Sequence, residues 1–180
     1  PQYFKPGLPY LDRVELQIMK EGVTRVTALR AGEIDFANYI PREHVERLAR
    51  DAKIQVLKGK DTQRVQSFFN LRKPAFQDVR VRKAILGYGI DRQAIAKTAL
   101  LGQAEPLWSP VPPGGLDHID FGEQFAYNPD KAKAHLKESG YDEKNPLRYT
   151  IMTHGAEAAL PTIATIMKTQ LAKIGVEVTV

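Results

Sequence analysis

The sequence contains no cysteine, which removes thiolate nucleophiles, disulfide staples and thiolate metal ligands in one stroke. It is sparing with histidine and tryptophan, with four of the first and one of the second, so imidazole chemistry has few places to reside. No apolar run approaches the ~20 residues that a membrane-spanning helix needs. A Gly-x-Ser-x-Gly elbow, a glycine-rich phosphate loop and a His-Glu-x-x-His helix are all missing, and with them the common catalytic signatures. The first residue is not methionine, and no charged-then-apolar leader follows it. The last residues, Val176-Glu177-Val178-Thr179-Val180, stop inside an alternating strand pattern. The expectation is a piece excised from something larger.

Positive charge is in excess, with a formal net charge of +5, but it is not concentrated. Lysines and arginines are spread along the chain and interrupted by acids. The densest cluster, Arg80, Arg82 and Lys83, opens a helix whose other face is apolar. That is the pattern of a solvated helix face rather than of a nucleic-acid footprint, and no nucleic-acid partner is expected.

What is present is alternation of strand and helix patterns. Val14, Leu16 and Ile18 alternate with polar residues, the period of a half-buried strand. Residues 24–31 read as a helix stopped by Gly32, and 34–37 as a brief strand. Pro41 opens a further helix, followed by strand-like runs at 54–57 and 65–71. After Lys73-Pro74 the chain turns helical. Asp78 is a good N-cap, and Val81, Ala84, Ile85 and Tyr88 fall on one helical face. Asp91 caps a second helix, with Ile90 and Ile95 placed as a hydrophobic staple, and Gly102 ends it. Residues 103–126, rich in Pro and Gly, form a long surface loop. Asn128-Pro129 starts a third helix, which Gly140 terminates. A β-α-β unit closes the chain: a strand at 147–153, a helix from about 161 to 174, and a strand from Val176. There is no internal repeat. The fold class is α/β, with a largely parallel sheet expected in each of two lobes.

Few residues invite chemistry. His44 and His135 sit among charged neighbours on helices, and His118 lies in the surface stretch Asp117-His118-Ile119-Asp120; none is expected to bind metal. His154-Gly155-Ala156-Glu157 joins a strand's C-terminal end to a helix, the edge of an α/β sheet where ligands bind. His154 with Glu157 is also the one pair that an acid–base enzyme could use, although no nucleophile or cofactor motif accompanies it. Trp108, beside Ser109 in the Pro-rich loop, is placed either to stack on a ligand or to fill a core. Phe68 and Phe69 are consecutive in a strand-like run, so at most one of them can face a given cleft.

Four blocks in order resemble the family 5 extracellular solute-binding proteins. Ala28-Leu29-x-x-Gly32-Glu33-Ile34-Asp35 is the first. The second runs from Phe69-Asn70 through Pro74-x-Phe76-x-Asp78-Val79-Arg80-Val81-Arg82-Lys83-Ala84-Ile85 to Ile90-Asp91-Arg92-x-Ala94-Ile95. The third is Tyr127-Asn128-Pro129-Asp130-Lys131-Ala132-Lys133 with Leu136, Gly140 and Tyr141, and the fourth Gln170-Leu171-Ala172-Lys173-Ile174-Gly175-Val176. The resemblance implies a type II periplasmic-binding-protein-like fold, two lobes closing by hinge motion around a ligand. Residues 1–66 would end a first-lobe segment, 67–72 would cross between lobes, and 73–180 would begin the second lobe. It further implies a substrate-binding component of an ABC importer outside the cytoplasmic membrane. Such a component takes a peptide or similar small organic solute, works with permease subunits, and meets the membrane only through that complex, without catalysis and without a cofactor. A sensory or structural module reusing the fold is the alternative. Ser67, Phe68, Phe69, Asn70, Trp108, Ser109, His154, Gly155, Ala156 and Glu157 are the expected ligand contacts. Where peptide-binding relatives place an Arg to hold a carboxylate, this sequence offers His154, Gly155 and Ala156, which leaves longer peptides, other organic solutes or a metal chelate open.

Overall fold

A computed structural model of the chain describes residues 3–59, 64–122, 124–154 and 159–180. The chain divides into two compact units, Pro1–Lys58 and Gly59–Val180.

In the first unit the regular elements are two helices, α1 (Gly22–Ala31) and α2 (Arg42–Ala49). Gly32 stops α1 from the left-handed region, at φ 74°, where a residue without Cβ sits at no cost, and its N–H returns to the last turn. Pro41 stands at the N-cap of α2, one residue before the first turn. Val26, Ala28 and Leu48 are buried.

The strands expected at 14–18, 34–37 and 54–57 are not formed, and neither is the one at 65–71 in the second unit. Val14, Leu16 and Ile18, expected to be half-buried, are 68%, 91% and 93% exposed. The physical reason is that alternation marks which side chains could share a face, whereas a strand exists only where a second strand takes its N–H and C=O groups. Among the described residues none of these segments has such a partner. No sheet forms among the described residues of the first unit.

The second unit holds the core. Two short helices, α3 (Pro74–Gln77) and α4 (Val79–Arg82), run into a wider π-helical turn over Lys83–Tyr88, followed by α5 (Arg92–Ala99). Asp78 caps α4 by accepting from the Arg80 N–H at 2.8 Å. Asp91 caps α5 through the Ala94 N–H at 2.9 Å. Asn128 caps α6 (Pro129–Glu138) through the Lys131 N–H at 2.9 Å. All three caps were legible in the sequence because a short side-chain oxygen before a helical run satisfies donors the helix leaves free. Val81, Ala84, Ile85 and Tyr88 are all buried, as their spacing requires, although the helix that carries them widens after Arg82. The widening accompanies a change of partner: the Arg92 guanidinium donates to the Leu86 carbonyl at 2.6 Å.

The β-α-β unit forms with trimmed ends: β1 (Leu147–Thr150), α7 (Ala159–Ala172) and β2 (Val176–Thr179). The two strands are parallel, with Leu147 opposite Val176 and Thr150 opposite Thr179. Leu147, Val176 and Val178 turn into the core while Arg148 and Glu177 face out. One cluster unites Phe76, Val81, Ile85, Tyr88, Ile90, Leu136, Leu147, Met167, Leu171 and Val176, so the helices after Pro74 and the β-α-β unit share a single interior.

Asp91 is bound to α7 as well as to its own helix. The buried Gln170 side chain accepts from the Asp91 N–H at 3.0 Å and donates to the Asp91 carbonyl at 3.3 Å. Replacing Asp91 by Ala leaves that backbone pairing in place and removes the cap alone. The expected result is a loss of ~1 kcal/mol of stability with no change in solute affinity of the whole protein. Thermal melts paired with binding titrations check it, and an affinity loss at constant melting temperature would mean that Asp91 does more than cap.

Candidate functional site

The expected contact residues occupy three segments of the second unit. In the first, Ser67 and Asn70 are exposed, and Phe68 is 83% exposed with its ring open to solvent. The neighbouring Phe69 points the other way and is half-buried. Its ring lies 5.0 Å from that of Phe76, which in turn meets Tyr149 edge-on at 5.3 Å. Of the pair, Phe68 is therefore the one free to touch a solute, and Phe69 is committed to the interior. Asn70 accepts from the Arg72 N–H at 3.0 Å, a local turn that fixes where the extended segment ends.

The second segment is the loop between α5 and α6. It is closed on itself rather than loose. The Trp108 ring lies against Gly122, where an added Cβ would stand 3.6 Å from the indole. Ser109 is buried and accepts from the Val111 N–H at 3.2 Å. His118 holds the Val111 carbonyl at 2.6 Å through Nδ1, and Asp120 accepts from the Gly122 N–H at 2.8 Å. At its far end Phe125 packs on Tyr88, ring centroids 5.8 Å apart. A loop packed by its own side chains, with both ends tied to a scaffold, is built to present residues in fixed positions. Ser109 spends its hydroxyl inside that loop, and Trp108 is half-buried with one face on Gly122.

The third segment begins at His154, which is exposed just past the C-terminal end of β1. Gly155, Ala156 and Glu157 lie outside the described residues, so the expected His154–Glu157 pairing lies outside them too. Among the described residues, no group of three His, Asp or Glu side chains could hold a metal ion, and no helix is long and apolar enough to cross a membrane.

An open groove of 410 Å³ runs along the two strands, lined by Arg148, Tyr149, Thr150, Glu177, Val178 and Thr179. Arg148 clasps Glu177 across the strands in two hydrogen bonds, at 2.7 and 3.1 Å. The carboxylate raises the guanidinium's already high pKa. The Tyr149 hydroxyl is pushed up by burial and stays protonated. Asp78 is held well below the usual carboxylate range by hydrogen bonds from the Arg80 side chain and then from its backbone N–H, in keeping with a capping role. Sequence reasoning had passed over the Arg148–Glu177 pair, whose signal was present: opposite charges at outward-facing positions of two strands in one β-α-β unit.

Comparison with known proteins gives one consistent picture. The family model for bacterial extracellular solute-binding proteins, family 5 middle region, matches residues 1–180. The glutathione-binding protein GsiB of Escherichia coli strain K12 is 30% identical over 175 residues, 97% of this chain and 33% of GsiB. The chain thus spans about a third of the length of the curated relatives it matches. Among solved structures, the binding protein AgaA from A. tumefaciens R10, in complex with agropinic acid, superposes with a TM-score of 0.74 at 30% identity, over 98% of this chain and 36% of AgaA. The oligopeptide-binding protein AppA from Bacillus subtilis, in complex with a nonapeptide, gives 0.69 at 26% identity, over 90% and 34%. The architecture is that of a type II periplasmic binding protein, present here in part.

Proposed function

Because the chain belongs to family 5 of the bacterial extracellular solute-binding proteins, we propose that the whole protein captures a peptide or similar small organic solute outside the cytoplasmic membrane. It delivers that solute to the permease of an ABC importer and performs no chemistry on it. The observation that carries the reading is the match of the family model to every residue of the chain. Relatives named for glutathione and for oligopeptides support a peptide-like solute, and the AgaA complex keeps other organic acids in view.

The proposed contacts are Phe68, Trp108 and the segment His154 to Glu157, with Ser67 and Asn70 bordering them. Residues 67–72 carry the chain between lobes, after a first-lobe segment over 1–66 and before a second-lobe segment over 73–180. Phe68 supports this placement as a large ring left 83% exposed. A packed loop around Trp108 supports it as well, because pre-formed walls spare a site the entropy of ordering them on binding.

Calorimetry tests the reading. The full-length protein and the 180-residue chain are each titrated with glutathione, agropinic acid and a nonapeptide. The expected result is binding of at least one probe by the full-length protein and weak or undetectable binding by the chain alone. Failure of the full-length protein to bind any of the three would sink the proposal. Equal and tight binding by the chain alone would move the site away from the residues named.

A further inference from the structure

We infer that His118 is the latch of the loop between α5 and α6: its imidazole joins the outgoing and returning limbs of that loop and so fixes how Trp108 is held. The binding function proposed above enters only through Trp108, as the contact whose place the latch sets. The two limbs meet at two levels. At the base the Trp108 ring lies against Gly122, where an added Cβ would stand 3.6 Å from the indole. Nearer the tip, His118 Nδ1 lies 2.6 Å from the Val111 carbonyl oxygen. A carbonyl only accepts, so Nδ1 carries the hydrogen and is the donor.

The outgoing limb cannot make that closure by itself. Residues 109–113 read Ser-Pro-Val-Pro-Pro, and proline has no N–H to give. The one backbone donor after Ser109 in this run, the Val111 N–H, goes to the Ser109 hydroxyl at 3.2 Å. A backbone ladder needs donors from both limbs, so closure falls to a side chain.

The returning limb is shaped to supply it. The chain reverses through Gly115, whose N–H donates to the Pro112 carbonyl at 3.0 Å, and the His118 N–H donates to the Gly115 carbonyl at 3.3 Å. Asp117 stands at φ 61°, in the left-handed region that short polar side chains tolerate, and turns the chain just before the imidazole. An added Cβ on Gly115 would stand 2.7 Å from Val111 Cγ1, so the tip is packed as well as bonded. His118 thus holds the tip twice, through its backbone at Gly115 and through its ring at Val111. Among residues 108–122, its ring makes the one side-chain hydrogen bond that joins the two limbs. Without that bond the Trp108–Gly122 contact stands alone, and the loop opens locally while the interior beneath it stays packed.

The test is hydrogen exchange read by mass spectrometry on the full-length protein without solute, as wild type, His118→Ala and His118→Asn. Asparagine carries an N–H donor at the δ position, where the imidazole carries its own. In His118→Ala, peptides covering residues 109–122 are expected to exchange about five- to tenfold faster, the factor that one lost hydrogen bond gives, while those of α7 keep the wild-type rate. In His118→Asn the loop is expected within about twofold of wild type. Wild-type exchange in His118→Ala would overturn the latch. So would faster exchange that extends to α7, since His118 would then support the whole unit, and so would a His118→Asn loop as open as the alanine one. Calorimetry of the same three proteins with glutathione, agropinic acid and the nonapeptide reads the contact separately. An affinity several-fold lower in His118→Ala and regained in His118→Asn supports both the latch and the place of Trp108. A loop that opens at unchanged affinity supports the latch and removes Trp108 from the contacts. A wild type that binds none of the probes brings down the functional reading, and the exchange result still decides the latch.

Discussion

Leu171→Ala is expected to lower the stability of the second unit by about 2–5 kcal/mol, the range for deleting a buried leucine side chain and leaving a cavity. Leu171 is completely buried, on the inner face of α7, and belongs to the cluster that joins that helix to the residues after Pro74. Its loss is felt on both sides of the interior, because α7 is the element that brings the β-α-β unit onto the earlier helices. Against a total of about 5–15 kcal/mol for an ordinary domain, such a change consumes a large share. Urea denaturation followed by circular dichroism measures it, with Ala172→Ser, at an exposed neighbour, as the control expected within about 0.5 kcal/mol. A loss for Leu171→Ala no larger than the control's would mean that the interior is not packed as described.

Gly89→Ala sets two effects against each other. Gly89 lies at φ −83°, where alanine is at ease, so the substitution should gain about 0.4–1 kcal/mol by restricting the unfolded chain. The space is not there. An added Cβ would stand 2.6 Å from the Ala84 carbonyl oxygen, 3.0 Å from that of Ile85 and 2.8 Å from Ile174 Cδ1. Two of these are backbone atoms of the widened turn and cannot swing aside as a side chain can. Overpacking of this kind costs about 1–3 kcal/mol, so destabilisation wins, by roughly 1–2 kcal/mol net. The same denaturation experiment decides it, and a stabilised Gly89→Ala would show that the turn yields.

The sequence made some of this visible and hid the rest for identifiable reasons. Caps at Asp78, Asp91 and Asn128, and the stop at Gly32, follow from neighbours within a few residues, and all four stand in the structure. The β-α-β unit was legible because both of its strands and the connecting helix are consecutive. The segments around Val14, Ile34, Ile54 and Val65 carry strand-like patterns, but pairing is a relation between distant stretches and no local pattern reports it. The widened turn at Lys83–Tyr88 was hidden because its residues keep the spacing of an ordinary helix. The tightness at Gly89 depends on Ile174, 85 positions later in the chain, which no local pattern reports.

The expected site was legible only in part. That one of Phe68 and Phe69 faces outward follows from alternation, but which one does depends on Phe76, whose ring takes Phe69. Trp108 was visible as an aromatic in a stiff loop. That Gly122 would receive one of its faces depends on how the 13 intervening residues fold back.

The loop carrying Trp108 has a further consequence, for change rather than for binding. Its ends are tied off independently of its length, by the Gly102 N–H on the Ala96 carbonyl at one end and the Asn128 N–H on the Tyr88 carbonyl, at 2.9 Å, at the other. The entropy of closing a loop grows only with the logarithm of its length, so doubling this one would cost about 0.6 kcal/mol, less than a single lost helix cap. Insertions at its exposed residues, such as Pro113 and Gly114, would therefore cost the scaffold little, whereas Ala104 and Phe125, which pack against the interior, have to stay.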